Sequence, residues 1–393
     1  MYHVSHYHAR TTGYTGRRAS GVSPMTLDLS ETFVLDAVSH AYNLDAGNIL
    51  NERYARGIGE MLFGMLDRGT PATHRITRES FFREWSVAEV ASMLFAESRT
   101  DVSTFHPILA APFKNGLVEP KKAAAAVDRY PGRFLAYATV DPLGEEPLAE
   151  LERQTELYDP VGLKLYPSSF AGGDHDTWRM DDPEVAYPVF ERARELGIDV
   201  VAIHKALAFG PVPRRPYDPS DVDEPAENFP ELTFEVVHGG LSFTEETAWQ
   251  VARFPNVKIN MEGYGLLMAA GSRRGEEMFA ELLSVGGEAV FEDLFWGTGT
   301  MAGHAQPQLE AFREFRISDE VRRNLGTFET LPQLTDEHKR KILGQNYAET
   351  VGLDVDALHE RHADDEFADR GGDGEALAAP YSTTTAELAE GAA

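Results

Sequence analysis

ELGIDVVAIH, residues 195–204, and FPELTFEVVHGG, residues 229–240, decide the fold. In each, an apolar, β-branched run of strand length ends on a histidine, His204 or His238, and gives way to a loop. FVLDAVSH, residues 33–40, repeats the pattern and ends on His40. A parallel barrel opens the C-terminal end of every strand onto one face, so residues distant in sequence converge there.

Working outward, strands are predicted at 33–38, 102–106, 134–140, 161–166, 198–204, 232–238, 257–261 and 290–297. Amphipathic helical stretches separate them at 120–130, 147–158, 183–196, 244–254 and 274–285, several opening with proline in the first turn. Alternating strand and helix specifies a parallel sheet covered by helices, an α/β architecture. Eight repeats favour closure into a (β/α)8, TIM-like barrel. The rival, a doubly wound open sheet, lacks its signature: no GxGxxG follows the first strand and no P-loop occurs.

Two connections exceed what a barrel needs. Residues 43–99, with MLFGML and FFREWSVAEVASMLF, read as a helical insertion after the first strand, and the Pro-rich stretch 209–230 follows the fifth. Both leave C-terminal strand ends, where they can wall a pocket; padding or a subunit contact is the alternative. Residues 1–29 read as an N-terminal tail, 30–361 as the barrel and 362–393 as a disordered acidic tail. His3, His6 and His8 lie in the first tail without a framework to hold a metal, and Met25 is a candidate start.

A chain of 393 residues, 42% hydrophobic and without cysteine, can bury a large core without disulfides and is expected in the cytoplasm. No apolar run approaches the roughly 18 residues of a membrane span, and the first residues lack the apolar stretch of a secretory signal, so neither a span nor export is expected. The formal charge of −28 repels nucleic acid and anionic membranes. Asp and Glu are spread along the whole chain, as in SDVDEPAEN and HADDEFADR, a distribution suited to a high-salt, halophilic cytosol. The midpoint of unfolding is therefore expected to rise steeply with KCl. Equal stability in dilute buffer and molar salt would refute this.

Three histidines at one end of three strands suit a metal such as zinc, and His204 and His238 are also candidate catalytic groups. Lys164, in VGLKLYP, is read as a functional charge or ligand group, because an inward lysine is costly to desolvate. Its alternative is simple pairing with Asp141 or Glu262. Glu262, Trp178, Arg214 and His304 are candidate substrate contacts, Arg214 for a substrate carboxylate. His106, His175, Arg179 and Arg215 are weaker candidates. The aromatic loops FFREW and GYGLLM fit a nonpolar pocket, or else loop packing or contacts between copies in a homo-oligomer.

The succession LDAVSH, TVDP, GLKLYP, ELGIDVVAIH, FPELTFEVVHGG, FPNVKIN, FWGTG and KRKILGQNYAETVGL resembles the amidohydrolase-related family. This is the branch of the amidohydrolase superfamily that includes aminocarboxymuconate semialdehyde decarboxylase. The resemblance spans about residues 33–353. It implies a barrel with one divalent metal, usually zinc, acting on a small molecule by hydrolysis of a C–N or C–O bond or by non-oxidative decarboxylation. By position it implies His40 and His204 as ligands and His238 as a catalytic histidine, although a metal held by His40, His204 and His238 together would have the three-histidine composition of some catalytic zinc sites. Two positions depart from the family: Val38 replaces the first member of the strand-one pair, and Gly299 replaces the strand-eight aspartate, a ligand and general base. Asp36, Lys164, Glu262 or His304 could fill that vacancy. The competing reading is a metal-free or non-catalytic barrel that serves as a binding or assembly partner.

Overall fold

The structure, a computed structural model, describes residues 27–171, 174–327, 329–368, 370 and 376–383. Residues 1–26, with His3, His6, His8 and Met25, and residues 384–393 lie outside the described residues. Eight parallel strands run in the order of the chain: β1 (Leu35–Ser39), β2 (Val102–Phe105), β3 (Phe134–Thr139), β4 (Gly162–Leu165), β5 (Val200–His204), β6 (Thr233–Val237), β7 (Val257–Asn260) and β8 (Leu294–Phe295). The seam between β8 and β1 is narrow. Ala37 N donates to Trp296 O at 2.8 Å, His40 N donates to Thr300 O at 2.6 Å, and Ser39 bridges Thr300.

β8 is shorter than predicted. Gly287–Asp293 forms a 3-10 helix, with Val290 and Phe291 buried, so the apolar residues before Leu294 pack as a helical turn. Helices Pro120–Arg129, Pro147–Tyr158, Tyr187–Glu195, Thr244–Arg253 and Arg273–Gly286 separate the strands. No helix among the described residues is long and apolar enough to cross a membrane.

Hydrogen bonds tie opposite sides of the barrel together. Tyr137 OH on β3 donates to Glu235 Oε2 on β6 at 2.7 Å, Asn260 of β7 donates to Glu235 Oε1, and Tyr347 OH donates to Tyr137 OH at 2.7 Å. Burial pushes the Glu235 carboxyl up, against the lowering effect of Asn260 and Tyr137.

Between β1 and β2 the chain forms a helix, Glu52–Gly69, capped by Asn51 and buried through Ala55, Ile58, Gly59, Leu62 and Leu66. That spacing puts one apolar stripe toward the barrel mouth. The helix crosses the loop after β5 at two glycines. A Cβ on Gly57 would strike the Pro211 ring, and one on Gly210 would lie 2.8 Å from Ile58 Cγ1. The two long connections therefore brace one another.

The span read as an acidic tail is not uniform. Tyr381 is buried, its backbone N–H donates to Glu97 Oε2 at 2.7 Å, and Ser382 N–H donates to Glu97 Oε1 at 2.9 Å. Glu97 also receives His304 Nε2 at 3.1 Å. Burial pushes this carboxyl up, but its hydrogen bonds from His304 and Ser382 leave it below the usual carboxylate range.

Candidate active site

His40 follows β1, His204 ends β5 and His238 follows β6, and all three line one cavity at the mouth of the barrel. Each has one ring nitrogen committed to a backbone carbonyl: His40 Nδ1 donates to His106 O at 2.9 Å, His204 Nε2 to Leu207 O at 2.9 Å, and His238 Nδ1 to Glu262 O at 3.0 Å. A carbonyl oxygen only accepts, so the proton position on each ring follows. Burial pulls His40 down to about 4 and lowers His204 and His238 as well. All three are neutral near pH 7, with lone pairs left on His40 Nε2, His204 Nδ1 and His238 Nε2.

Glu262, just beyond β7, presents Oε2 to His238 Nε2 at 3.4 Å. With Nδ1 already donating, a neutral His238 would face one acceptor with another. The contact is attractive only when a proton lies in it. His238 is held at φ +63°, a backbone region that strains a non-glycine residue by about 1 kcal/mol or more.

Gly299 has φ +62°, and a Cβ there would collide with the Glu262 carboxylate, lying 2.9 Å from its Cδ and Cγ. A carboxylate carried by β7 fills the space into which a side chain at the end of β8 would project. Gly299→Asp is therefore expected to destabilise by about 2–3 kcal/mol through overpacking and left-handed strain. Adding Glu262→Ala should recover most of that loss. Additive losses in urea unfolding would show that the two positions do not share the space.

Lys164, in β4, lies behind the lining and is 1% exposed. Its Nζ sits 5.3 Å from the ring centre of Tyr166, which itself stacks on His204 at 5.0 Å. Among the described residues Lys164 makes no hydrogen bond or ion pair, which sets aside simple pairing with Asp141 or Glu262. Burial lowers it to about 8, opposed by the charges of Glu262 and Glu235. His106 is a second orphan. It is fully buried and stacked on Tyr137 at 4.3 Å, and among the described residues neither ring nitrogen has a well-formed hydrogen bond, the nearest partner being the Ala37 backbone. Asp36, near the foot of the site, accepts from Thr298 N at 2.9 Å and Val38 N at 3.1 Å, and burial pushes it up to about 7.

The remaining candidates lie elsewhere. His304 Nδ1 accepts from Gln306 N at 3.3 Å and its Nε2 pairs with Glu97, so both nitrogens are engaged away from Gly299. Trp178 is buried in the core with Nε1 donating to Tyr166 O at 2.8 Å, behind the site instead of in it. Arg214 is exposed, its guanidinium 4.3 Å from the centre of the Phe243 ring. His175 bonds Ser168, and Arg179 pairs with Asp181. Sequence reasoning missed Tyr42, stacked on His40 at 5.3 Å, and Tyr166. Both stand two residues past a singled-out residue on extended chain, and that period-two spacing was the available signal.

The cavity measures about 20 Å³, room for roughly one water. Met61, Leu62 and Met65 of the Glu52–Gly69 helix, with Leu207 and Phe209 from the loop after β5, close it. The three imidazoles have the lone pairs a divalent metal needs, but not the convergence. Among the described residues no group of three His, Asp or Glu stands where one ion would reach all of them. His238 Nε2 turns to Glu262 instead, and the unpaired ammonium of Lys164 opposes a second cation nearby. As arranged, the donors do not fit a metal ion.

Buried acid–base groups thus gather at the C-terminal strand ends, the face on which parallel barrels carry their ligand sites. The chain belongs to the amidohydrolase family, whose model matches residues 110–353, from the connection after β2 to beyond β8. His40 lies before the matched stretch. A TIM-barrel protein of Bordetella bronchiseptica is similar in structure, with TM-score 0.56 and 19% identity over 81% of this chain and 98% of that one. The 5-carboxyvanillate decarboxylase of Sphingomonas paucimobilis has TM-score 0.50 and 15% identity, covering 82% and 100% of the two chains. The 4-oxalomesaconate hydratase of Rhodopseudomonas palustris has TM-score 0.50 and 14% identity, covering 84% and 98%. No curated protein sequence matches the chain.

Proposed function

We propose that this chain is an enzyme acting on a small organic acid, by non-oxidative decarboxylation or by hydrolysis of a C–N or C–O bond. The observation that carries this reading is Lys164, a buried ammonium that makes no hydrogen bond or ion pair among the described residues, behind a cavity lined by His40, His204, His238 and Glu262. A buried charge left unpaired costs stability unless something else meets it, and a substrate carboxylate is the natural counter-charge.

The His238–Glu262 pair supplies the proton transfer. In decarboxylation, the C–C bond to the carboxylate breaks and CO2 leaves. The electron pair on carbon then takes a proton from the protonated form of the His238–Glu262 pair, and solvent restores that proton. In hydrolysis, the unprotonated pair takes a proton from the attacking water. The apolar closure by Met61, Met65 and Phe209 favours the first course, because it strips water from the carboxylate. A decarboxylase also stands among the proteins of similar fold.

The test is CO2 release from a panel of aromatic and aliphatic acids. His238→Gln and Glu262→Gln should each lower the rate by about 10²–10⁴. Hydrolysis products without CO2 would favour the second course, and no turnover would favour the non-catalytic barrel.

Metal dependence is decided by elemental analysis of protein purified in high salt. Turnover by metal-free protein is the expected result. One equivalent of zinc, manganese or iron, required for turnover and lost in His204→Ala, would replace this scheme with metal-assisted chemistry.

A further inference from the structure

Beside the reactive cavity lies a second, larger one of about 440 Å³, walled by Leu241, Leu266, Leu267 and Met278. The two spaces have two residues in common, Met65 and Leu207, each of which lines both. Gly263, next to Glu262, forms part of the groove wall, and a Cβ placed on it would lie 4.0 Å from His238 Nδ1. The groove therefore begins where the His238–Glu262 pair ends. At about 20 Å³ the inner space holds one water, whereas the groove is within the range of small-molecule sites, about 300–1,000 Å³. A substrate of any size must keep most of its atoms in the groove.

The partition between the two spaces is built to move. Met65 and Leu207 are only partly buried, and methionine's unbranched side chain adapts its rotamer easily. Polarity divides across it: titratable groups lie on the inner side, and leucine and methionine dominate the outer. Arg68 is the charged residue among the groove's lining.

We propose that the groove holds the apolar body of an organic acid whose carboxylate passes between Met65 and Leu207 into the inner cavity, toward the ammonium of Lys164 behind its lining. The substrate class is a carboxylic acid with an aliphatic or aromatic body, bound head inward. This rests on reading Lys164 as the anion site. The groove adds chain-length selection and places the bond next to the carboxylate beside His238.

Isothermal titration with butanoate, hexanoate and octanoate tests it on the full chain. Affinity should rise about fourfold for each added methylene as the body enters the groove. Leu241→Asn and Leu267→Asn, at partly buried positions, should flatten that rise, and Lys164→Met should weaken all three acids about tenfold or more while keeping the slope. A flat series that still depends on Lys164 overturns the groove and leaves the anion site standing. A rising series indifferent to Lys164→Met but weakened by Arg68→Gln overturns the head-inward binding, because the carboxylate then sits at the mouth. Failure of all three acids to bind overturns the proposal outright.

Discussion

Lys164→Met is expected to raise the protein's thermal stability and to lower turnover at least about a thousandfold. Both effects follow from one fact: an ammonium 1% exposed, without hydrogen bond or ion pair among the described residues, is held where water cannot solvate it. Burial lowers its pKa from 10.5 to about 8. The unfolded chain holds that proton up to pH 10.5, whereas the folded chain releases it from about pH 8. Unfolding therefore takes up a proton in that window, and stability rises with pH across it. Below pH 8 both states are protonated and the full penalty is present, on the order of 3 kcal/mol. Methionine removes the penalty and keeps the volume. Affinity for an anionic ligand should show the complementary profile, constant below pH about 8 and falling above it. Differential scanning calorimetry and a pH–rate profile check the two halves. A variant that melts lower and still turns over substrate would make Lys164 a structural residue.

Lys205→Met is expected to destabilise by about 3–5 kcal/mol, although it stands next to His204 and makes no contact with the reactive cavity. Lys205 Nζ lies 2.7 Å from Asp221 Oδ1, 2.8 Å from Oδ2 and 2.9 Å from Pro216 O, with both side chains fully buried. Asp221 Oδ2 also accepts from Met180 N at 3.1 Å. The pair closes the loop after β5 on itself, and that loop carries the Leu207 carbonyl that orients His204. Removing the lysine leaves a buried carboxylate without its cation. Replacing both partners, as Lys205→Met with Asp221→Leu, removes that uncompensated charge and should recover much of the loss. Urea unfolding of the two singles and the double measures the coupling. Equal losses in Lys205→Met and the double would show that the charge pair contributes nothing of its own.

The parallel strands and the histidines at their ends were legible because strand period, β-branching and the loop that follows are local properties of the chain. The position of Glu262 was not, since nothing local to residue 262 says that its carboxylate will fill the space beside Gly299, which belongs to the neighbouring strand. His304 misled for a related reason. Its nearness to Gly299 in sequence suggested that it could reach the site, but Glu97, more than two hundred residues earlier, holds it. The apolar run before Leu294 looked like strand because burial alone does not distinguish a 3-10 turn packed on helices from a strand packed in a sheet. Trp178 and Arg214 illustrate the ambiguity of loops, where a long side chain finds a local partner such as Tyr166 O or the Phe243 ring.

The clasp of Tyr381 and Ser382 on Glu97 gives the chain a vectorial problem during synthesis. The contact joins residues 284 apart in sequence, which at ordinary ribosomal speeds of about 5–20 residues per second amounts to roughly 15–60 s. His304 is made after 207 of those residues, so for the last part of the interval Glu97 has its imidazole partner but still lacks the Tyr381 amide. The hydrogen bonds that complete the burial of Glu97 therefore form only once the last described residues have been made.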